Sequence, residues 1–144
     1  MSDPVCRDGI ELGKIRLPVS VSSPKAARDL IGIMVGQWGL GEEVDFVARL
    51  AVCELVTNTF CHCAGMPGST VLVVISRVGH LFRVEVHDST TEAPQMRRPA
   101  DTEETGRGLA LISDLADDCG YYLTAFGKAV WFSIKAHWPL DHAA

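Results

Sequence analysis

Two strand-like runs, Val71-Leu72-Val73-Val74-Ile75 and Leu81-Phe82-Arg83-Val84-Glu85-Val86, stand a few residues apart, with Arg77-Val78-Gly79-His80 between them. So short a connection leaves no room for a crossover, and the two runs must pair as an antiparallel hairpin. A second such pair follows: Cys119 to Leu123 and Ala129 to Ala136, joined across Phe126-Gly127-Lys128, with Val130, Phe132 and Ile134 alternating. Two hairpins interleaved with helical patterns predict an α+β fold. The expected architecture is a two-layer sandwich, a mixed but largely antiparallel sheet with helices on one face and pockets between the layers.

The remaining elements follow from periodicity. Lys14 to Ser20 alternates as a half-buried strand, and Pro18, which cannot donate a ladder hydrogen bond, places it at a sheet edge or ends it there. Ser23 reads as an N-cap with Pro24 at the first helical position, opening a helix through Leu30, Ile31, Met34 and Val35 to about Trp38. Gly39-Leu40-Gly41 breaks that helix. A second begins near Glu42, where Glu42, Glu43 and Asp45 suit the positive end of the helix dipole. Val44, Val47, Ala48, Ala51 and Leu55 share its buried face and Asp45 and Arg49 the other. Leu109, Leu111, Ile112 and Leu115 mark a third helix after Gly106-Arg107-Gly108, ending near Asp117-Asp118. A chain of 144 residues accommodates one such domain, over 13–138, with a loose lead-in at 1–12 and a tail at 139–144.

Several function classes are disfavoured. A net charge of −5 does not suit phosphate neutralisation, so no direct nucleic-acid partner is expected. No apolar run approaches the roughly 20 residues of a membrane span, and the N-terminus lacks the pattern of a secretion signal, so a cytoplasmic location is expected. Five cysteines without framework spacing fit a reducing compartment. Cys61-His62-Cys63 is not a metal motif, because residues two apart on a helix point in nearly opposite directions. Trp38, Trp131 and Trp138 read as core or rim aromatics.

Within the second helix, Glu54, Asn58 and His62 recur every four residues, which aligns a carboxylate, an amide and an imidazole in one row. An Asn carbonyl oxygen can help hold Mg²⁺, and a nearby carboxylate can deprotonate an attacking group; equally, Asn58 can cap backbone groups and Glu54 can sit in solvent. Asp88 closes a strand, where a carboxylate can accept from an exocyclic base amine or can form a turn. Gly106-Arg107-Gly108 before a helix lets backbone N–H groups approach phosphate, or makes an ordinary flexible turn. The segment from Ser89 to Thr105 is a long polar loop of the kind that forms lids or remains disordered.

Together and in this order, Glu54-x-x-x-Asn58, Asp88 and Gly106-x-Gly108 resemble the ATP-binding boxes of the gyrase, heat-shock chaperone, histidine kinase and MutL superfamily. Glu-Leu-Val-Thr-Asn, Val-His-Asp-Ser, Gly-Arg-Gly-Leu and Gly-Lys-Ala-Val-Trp-Phe more closely resemble the single-domain anti-sigma-factor serine kinases of actinobacteria, over roughly residues 15 to 135. That resemblance implies the Bergerat ATP-binding fold, ATP with Mg²⁺, and two protein partners: a sigma factor held inactive and an anti-sigma-factor antagonist phosphorylated on Ser or Thr. It implies Glu54 as general base, Asn58 as Mg²⁺ ligand and Asp88 as the adenine-reading acid, with Ser89 beside it. The resemblance further implies Gly106 to Gly108 as the phosphate-side turn, with Leu109 next to it among the nucleotide-binding residues and Arg107 and Lys128 adding positive charge nearby. Family members are often dimers, so a homodimer is expected. The superfamily usually carries Gly two residues after the adenine-binding Asp, whereas Ser89 and Thr90 follow Asp88 here. This departure motivates the alternative of a Bergerat-fold binding module, weak or inactive as a kinase, that sequesters a sigma factor or another regulator.

Overall fold

The computed structural model describes residues 9–63, 68–89 and 107–139. Its elements, in chain order, are β1 (Ile10–Pro18), α1 (Ser23–Trp38), α2 (Glu42–Cys63), β2 (Thr70–Val78), β3 (Leu81–Asp88), α3 (Arg107–Leu115), β4 (Asp118–Leu123) and β5 (Lys128–Lys135). The five strands form one sheet in the order β1-β2-β3-β5-β4, and all four neighbouring pairs are antiparallel. The α+β expectation therefore holds, with the edges at β1 and β4. Pro18 ends β1 on an edge, where its missing N–H costs no ladder bond.

Boundaries shift slightly from the sequence reading. β1 starts at Ile10, four residues before the alternation at Lys14, with a register irregularity between Glu11 and Gly13 that masks the periodicity. The β2–β3 hairpin turns on Gly79 and His80 alone, because Val78 already pairs with Leu81. Gly79 has φ 60°, the left-handed region that such a two-residue turn requires. The cap of α1 is Ser22 rather than Ser23, without a side-chain bond to the helix. The Ser23 hydroxyl instead donates to the Pro18 carbonyl, tying the helix start to the end of β1.

α1 ends as Gly39 predicts. Gly39 has φ 65°; its N–H bonds to Gly36 O, and Leu40 N–H bonds to Val35 O, the paired closure of a Schellman motif. Leu40 is buried beside the helix it terminates. α1 packs on α2, and α2 packs on β3, β5 and α3. The core lies between these layers: Ala27, Ile31 and Val35 from α1, Ala48, Val52 and Val56 from α2, and Val73, Ile75, Phe82, Val84 and Phe132 from the sheet. Phe82 and Phe132 are fully buried, each contributing about 1.5–3 kcal/mol of apolar burial. At one end Trp138 packs edge-on against Trp38, with ring centroids 5.7 Å apart, in the core-rim role expected of these aromatics.

Candidate functional site

α2 carries the first two candidates. Its acidic start, Glu42, Glu43 and Asp45, favours the helix N-terminus, and Val44, Val47, Ala48, Ala51, Val52, Leu55 and Val56 bury one stripe. Glu54 and Asn58 fall beside that stripe, one turn apart and half-buried, so each keeps a path to solvent. The helix continues through His62, whose side chain, with those of Cys61 and Cys63, lies outside the described residues.

Strand alternation places the third. Phe82, Val84 and Val86 face the helices, and Asp88 continues the same phase, so its carboxylate is carried into the interlayer space at the end of β3. Asp88 lies opposite Lys128 in the β3–β5 register, and Lys128 Nζ sits 3.2 Å from Oδ1 and 3.1 Å from Oδ2. Both side chains are 4% exposed. Such a pair is held in place by mutual need, since either charge alone would be strongly disfavoured at that depth. Lys128, expected to add positive charge near the phosphate-side turn, is paired with Asp88. The physical reason is register: two residues directly opposite in an antiparallel ladder stand side by side on the same face.

Thr59, which sequence reasoning missed, completes the junction. Its hydroxyl donates to the Leu55 carbonyl at 3.1 Å, and its oxygen lies 3.4 Å from Asp88 Oδ2. One proton serves one acceptor at a time, so the shorter bond within α2 dominates. The contact nevertheless puts the residue after Asn58 against the strand-end acid. Its signal was available, since Thr59 lies four residues after buried Leu55 and so falls on the buried face of α2.

Gly127 is also more than a turn residue. A Cβ there would lie 2.0 Å from the Asp88 carbonyl oxygen and 2.7 Å from Ser89 Cα, so the β4–β5 turn can press against the end of β3 only with glycine at this position. Ser89 is exposed just beyond. Arg107, Gly108 and Leu109 form the first turn of α3, although their side chains lie outside the described residues, as does all of Gly106. The loop expected over 89–105 is outside them from residue 90 onward.

Between the sheet and the described helices, Phe82, Val84, Phe132 and their neighbours form the packed core. A cleft of about 720 Å³ opens at the strand ends, lined by Arg16, Thr70, Leu72, His87, Asp88 and Phe126 among others. Arg16, Leu72 and His87 lie in one cross-strand row on the face away from the helices. The carboxylate of Asp88 points to the other face, toward Thr59, so geometry favours the interlayer side for chemistry at this residue.

The helix-free face holds a second buried carboxylate, Glu85. It accepts from His87 Nε2 at 2.9 Å, Tyr122 Oη at 2.7 Å and Arg83 Nε at 3.1 Å, and the Arg83 guanidinium stacks 4.1 Å over the Trp131 ring. Burial pushes the Glu85 carboxyl up, but the donors His87 and Tyr122 and the charge of Arg83 outweigh it and hold the group below its ordinary value. Among the described residues no three His, Cys, Asp or Glu side chains cluster as a metal site. Among the described residues no helix is long and apolar enough to cross a membrane.

Comparison with known proteins follows the same lines. A family model described as the histidine kinase-like ATPase domain matches residues 17–134. Among solved structures, the crystal structure of the RsbU and RsbW domains of Rv1364c from Mycobacterium tuberculosis superposes with a TM-score of 0.66 at 16% sequence identity. The match covers 91% of this chain and 32% of that chain, and at this identity it establishes a shared fold. No curated protein matches the chain.

Proposed function

The chain belongs to the histidine kinase-like ATPase domain family, whose model matches residues 17–134, and on that premise we propose that it is a cytoplasmic ATP-binding anti-sigma factor with serine/threonine kinase activity. It sequesters a sigma factor and phosphorylates an anti-sigma-factor antagonist, so that nucleotide state sets which partner is held. A homodimer is part of this reading. The observation that carries it is the junction of α2 with the end of β3: Glu54 and Asn58 sit on the helix that touches Asp88 through Thr59. The ordered motifs quoted above and the RsbW domain of the structural neighbour support the anti-sigma assignment.

The residues fit the group they would hold. Asp88 offers a buried carboxylate acceptor for an exocyclic amine, and Asn58 offers a hard amide oxygen with solvent access for Mg²⁺. Gly106 to Gly108, leading into α3, take the phosphate side. ATP supplies the γ-phosphoryl group. Glu54 would accept the proton of the acceptor hydroxyl as its oxygen forms the new bond to the γ-phosphorus and the bond from that phosphorus to the β–γ bridging oxygen breaks, releasing ADP.

Titration calorimetry with ATP and Mg²⁺ tests this directly. Asn58→Ala is expected to weaken Mg²⁺-dependent ATP binding by about tenfold or more, as expected when a charge-assisted contact is lost. Glu54→Gln should bind ATP as the parent does while phosphate transfer to a captured antagonist falls by about 10²–10⁴. Transfer at the parental rate by Glu54→Gln removes the general-base assignment. A second reading, the kinase-weak binding module, is favoured by Ser89 and Thr90 following Asp88 and by the cation already seated on that acid. Absence of ATP binding by calorimetry and by an independent assay would select it.

A further inference from the structure

We propose that the cleft at the strand ends, on the sheet face away from the described helices, binds a small organic acid: a carboxylate at one end of an apolar body about 10 Å long. The site is separate from the nucleotide reading and does not depend on it. Asp88 borders the cleft, but its carboxylate turns to the other face, toward Thr59 and Lys128.

One end of the cleft is cationic. Arg16 is exposed on the edge strand β1, and its Nη1 donates to Thr70 Oγ1 at 3.0 Å. The described partner of this guanidinium is thus a neutral hydroxyl, not an acid. A guanidinium carries five N–H groups in a planar fork, so a single bond to Thr70 anchors it and leaves donors for both oxygens of a carboxylate. The two buried acids of β3 do not oppose an anion there. Asp88 is neutralised by Lys128, and Glu85, beside His87, already accepts from His87, Tyr122 and Arg83.

Strand spacing sets the length of the ligand. Arg16, Leu72 and His87 lie opposite one another on β1, β2 and β3, and strands about 4.8 Å apart put the first and last of them roughly 10 Å from each other at the backbone. Half-buried Leu72 lies between them. The His87 ring is held by its Nε2 bond to Glu85 and by the Tyr122 ring edge-on to it, 6.2 Å away. Phe126, in the turn between β4 and β5, lines the cleft with 89% of its surface in water. Its neighbour Gly127 presses that turn against the end of β3, which fixes where the ring is presented. Phe126 alone would mean little, because single exposed apolar side chains are common. Its place in one cleft with Leu72 and a hydroxyl-anchored cation gives the pattern of a ligand site, an apolar wall with one orienting charge, and a volume of about 720 Å³ is of the size such sites have. A carboxylate seated at Arg16 and Thr70 lays its apolar body over Leu72 toward Phe126.

A matched pair of probes tests this on the full chain: phenylhexanoate, with its ring on the terminal carbon, and the corresponding neutral amide. Titration followed by amide ¹⁵N–¹H spectra at neutral pH reports affinity and location together. The acid is expected to bind about fivefold to tenfold more tightly than the amide, the size of a charge-assisted contact at a solvent-accessible guanidinium, with the shifts centred on Thr70, Leu72, His87 and Phe126. Arg16→Gln should bring the acid to within about twofold of the amide and leave the amide unchanged, whereas Phe126→Ala should weaken both by about threefold or more. Both positions are exposed, so neither substitution endangers the fold. Equal binding of acid and amide by the parent protein, an acid preference that survives Arg16→Gln, shifts centred elsewhere, or no binding of the acid at about 10 mM each overturns the site and leaves the nucleotide reading standing.

Discussion

Asp88 and Glu85 are buried carboxylates on one strand, three residues apart, and their surroundings differ in kind. Glu85, in mid-strand on the helix-free face, draws its donors from the sheet itself: Arg83 and His87 on its own strand and Tyr122 on β4. Asp88, at the strand end on the helix face, takes a cation from β5 and touches α2. Among the described residues, the first arrangement draws on one sheet and keeps its face away from the described helices polar. The second joins two layers, a helix that also carries half-buried Glu54 and Asn58 and the end of a strand. Burial of a carboxylate therefore does not mark a site; the elements that supply its partners do.

The largest effect that sharpens this contrast comes from Lys128→Met. It strands the Asp88 charge between layers and should cost about 3–5 kcal/mol in urea unfolding, with much of that recovered in the Asp88→Asn/Lys128→Met double variant. A loss no larger than that of a surface substitution would erase the distinction between the two acids. Glu85→Gln comes next, at about 1.5–3 kcal/mol near neutral pH, because charge-assisted bonds to three donors are weakened while the shape is kept. It also carries a pH signature. The folded carboxyl lies below its ordinary value of 4.5, so its stabilisation is present above that value and fades as pH falls through the lowered one. The parent should lose stability more steeply than Glu85→Gln across that acid range, as read from thermal midpoints at successive pH values; parallel curves would remove Glu85 as the source. The smallest effect is expected from Thr59→Val, below about 1 kcal/mol, since the hydroxyl bonds first within its own helix. A change in ATP affinity there without a change in stability would show that the layer contact belongs to the site.

Several features were readable in the chain because they are local. The hairpins followed from run length and short connections, the end of α1 from Gly39, the edge position of β1 from Pro18, and the buried stripe of α2 from its period. The start of β1 was not, because an irregular register near Glu11 hides the alternation. Thr59 was overlooked beside Asn58 because its partner lies 29 residues away, and the pairing of Lys128 with Asp88 was not legible because the two lie 40 residues apart.

What the sequence determined by itself was the set of elements and the ordered polar residues Glu54, Asn58 and Asp88, since periodicity, capping and motif order are properties of neighbouring residues. What only the tertiary structure decided was which charges meet. Register across β3 and β5 set Lys128 against Asp88, strand phase sent Asp88 to the helices and Glu85 to the bare face, and layer packing brought Thr59 to the acid. Those pairings depend on distances across the sheet and between layers, and no spacing along a chain encodes them directly.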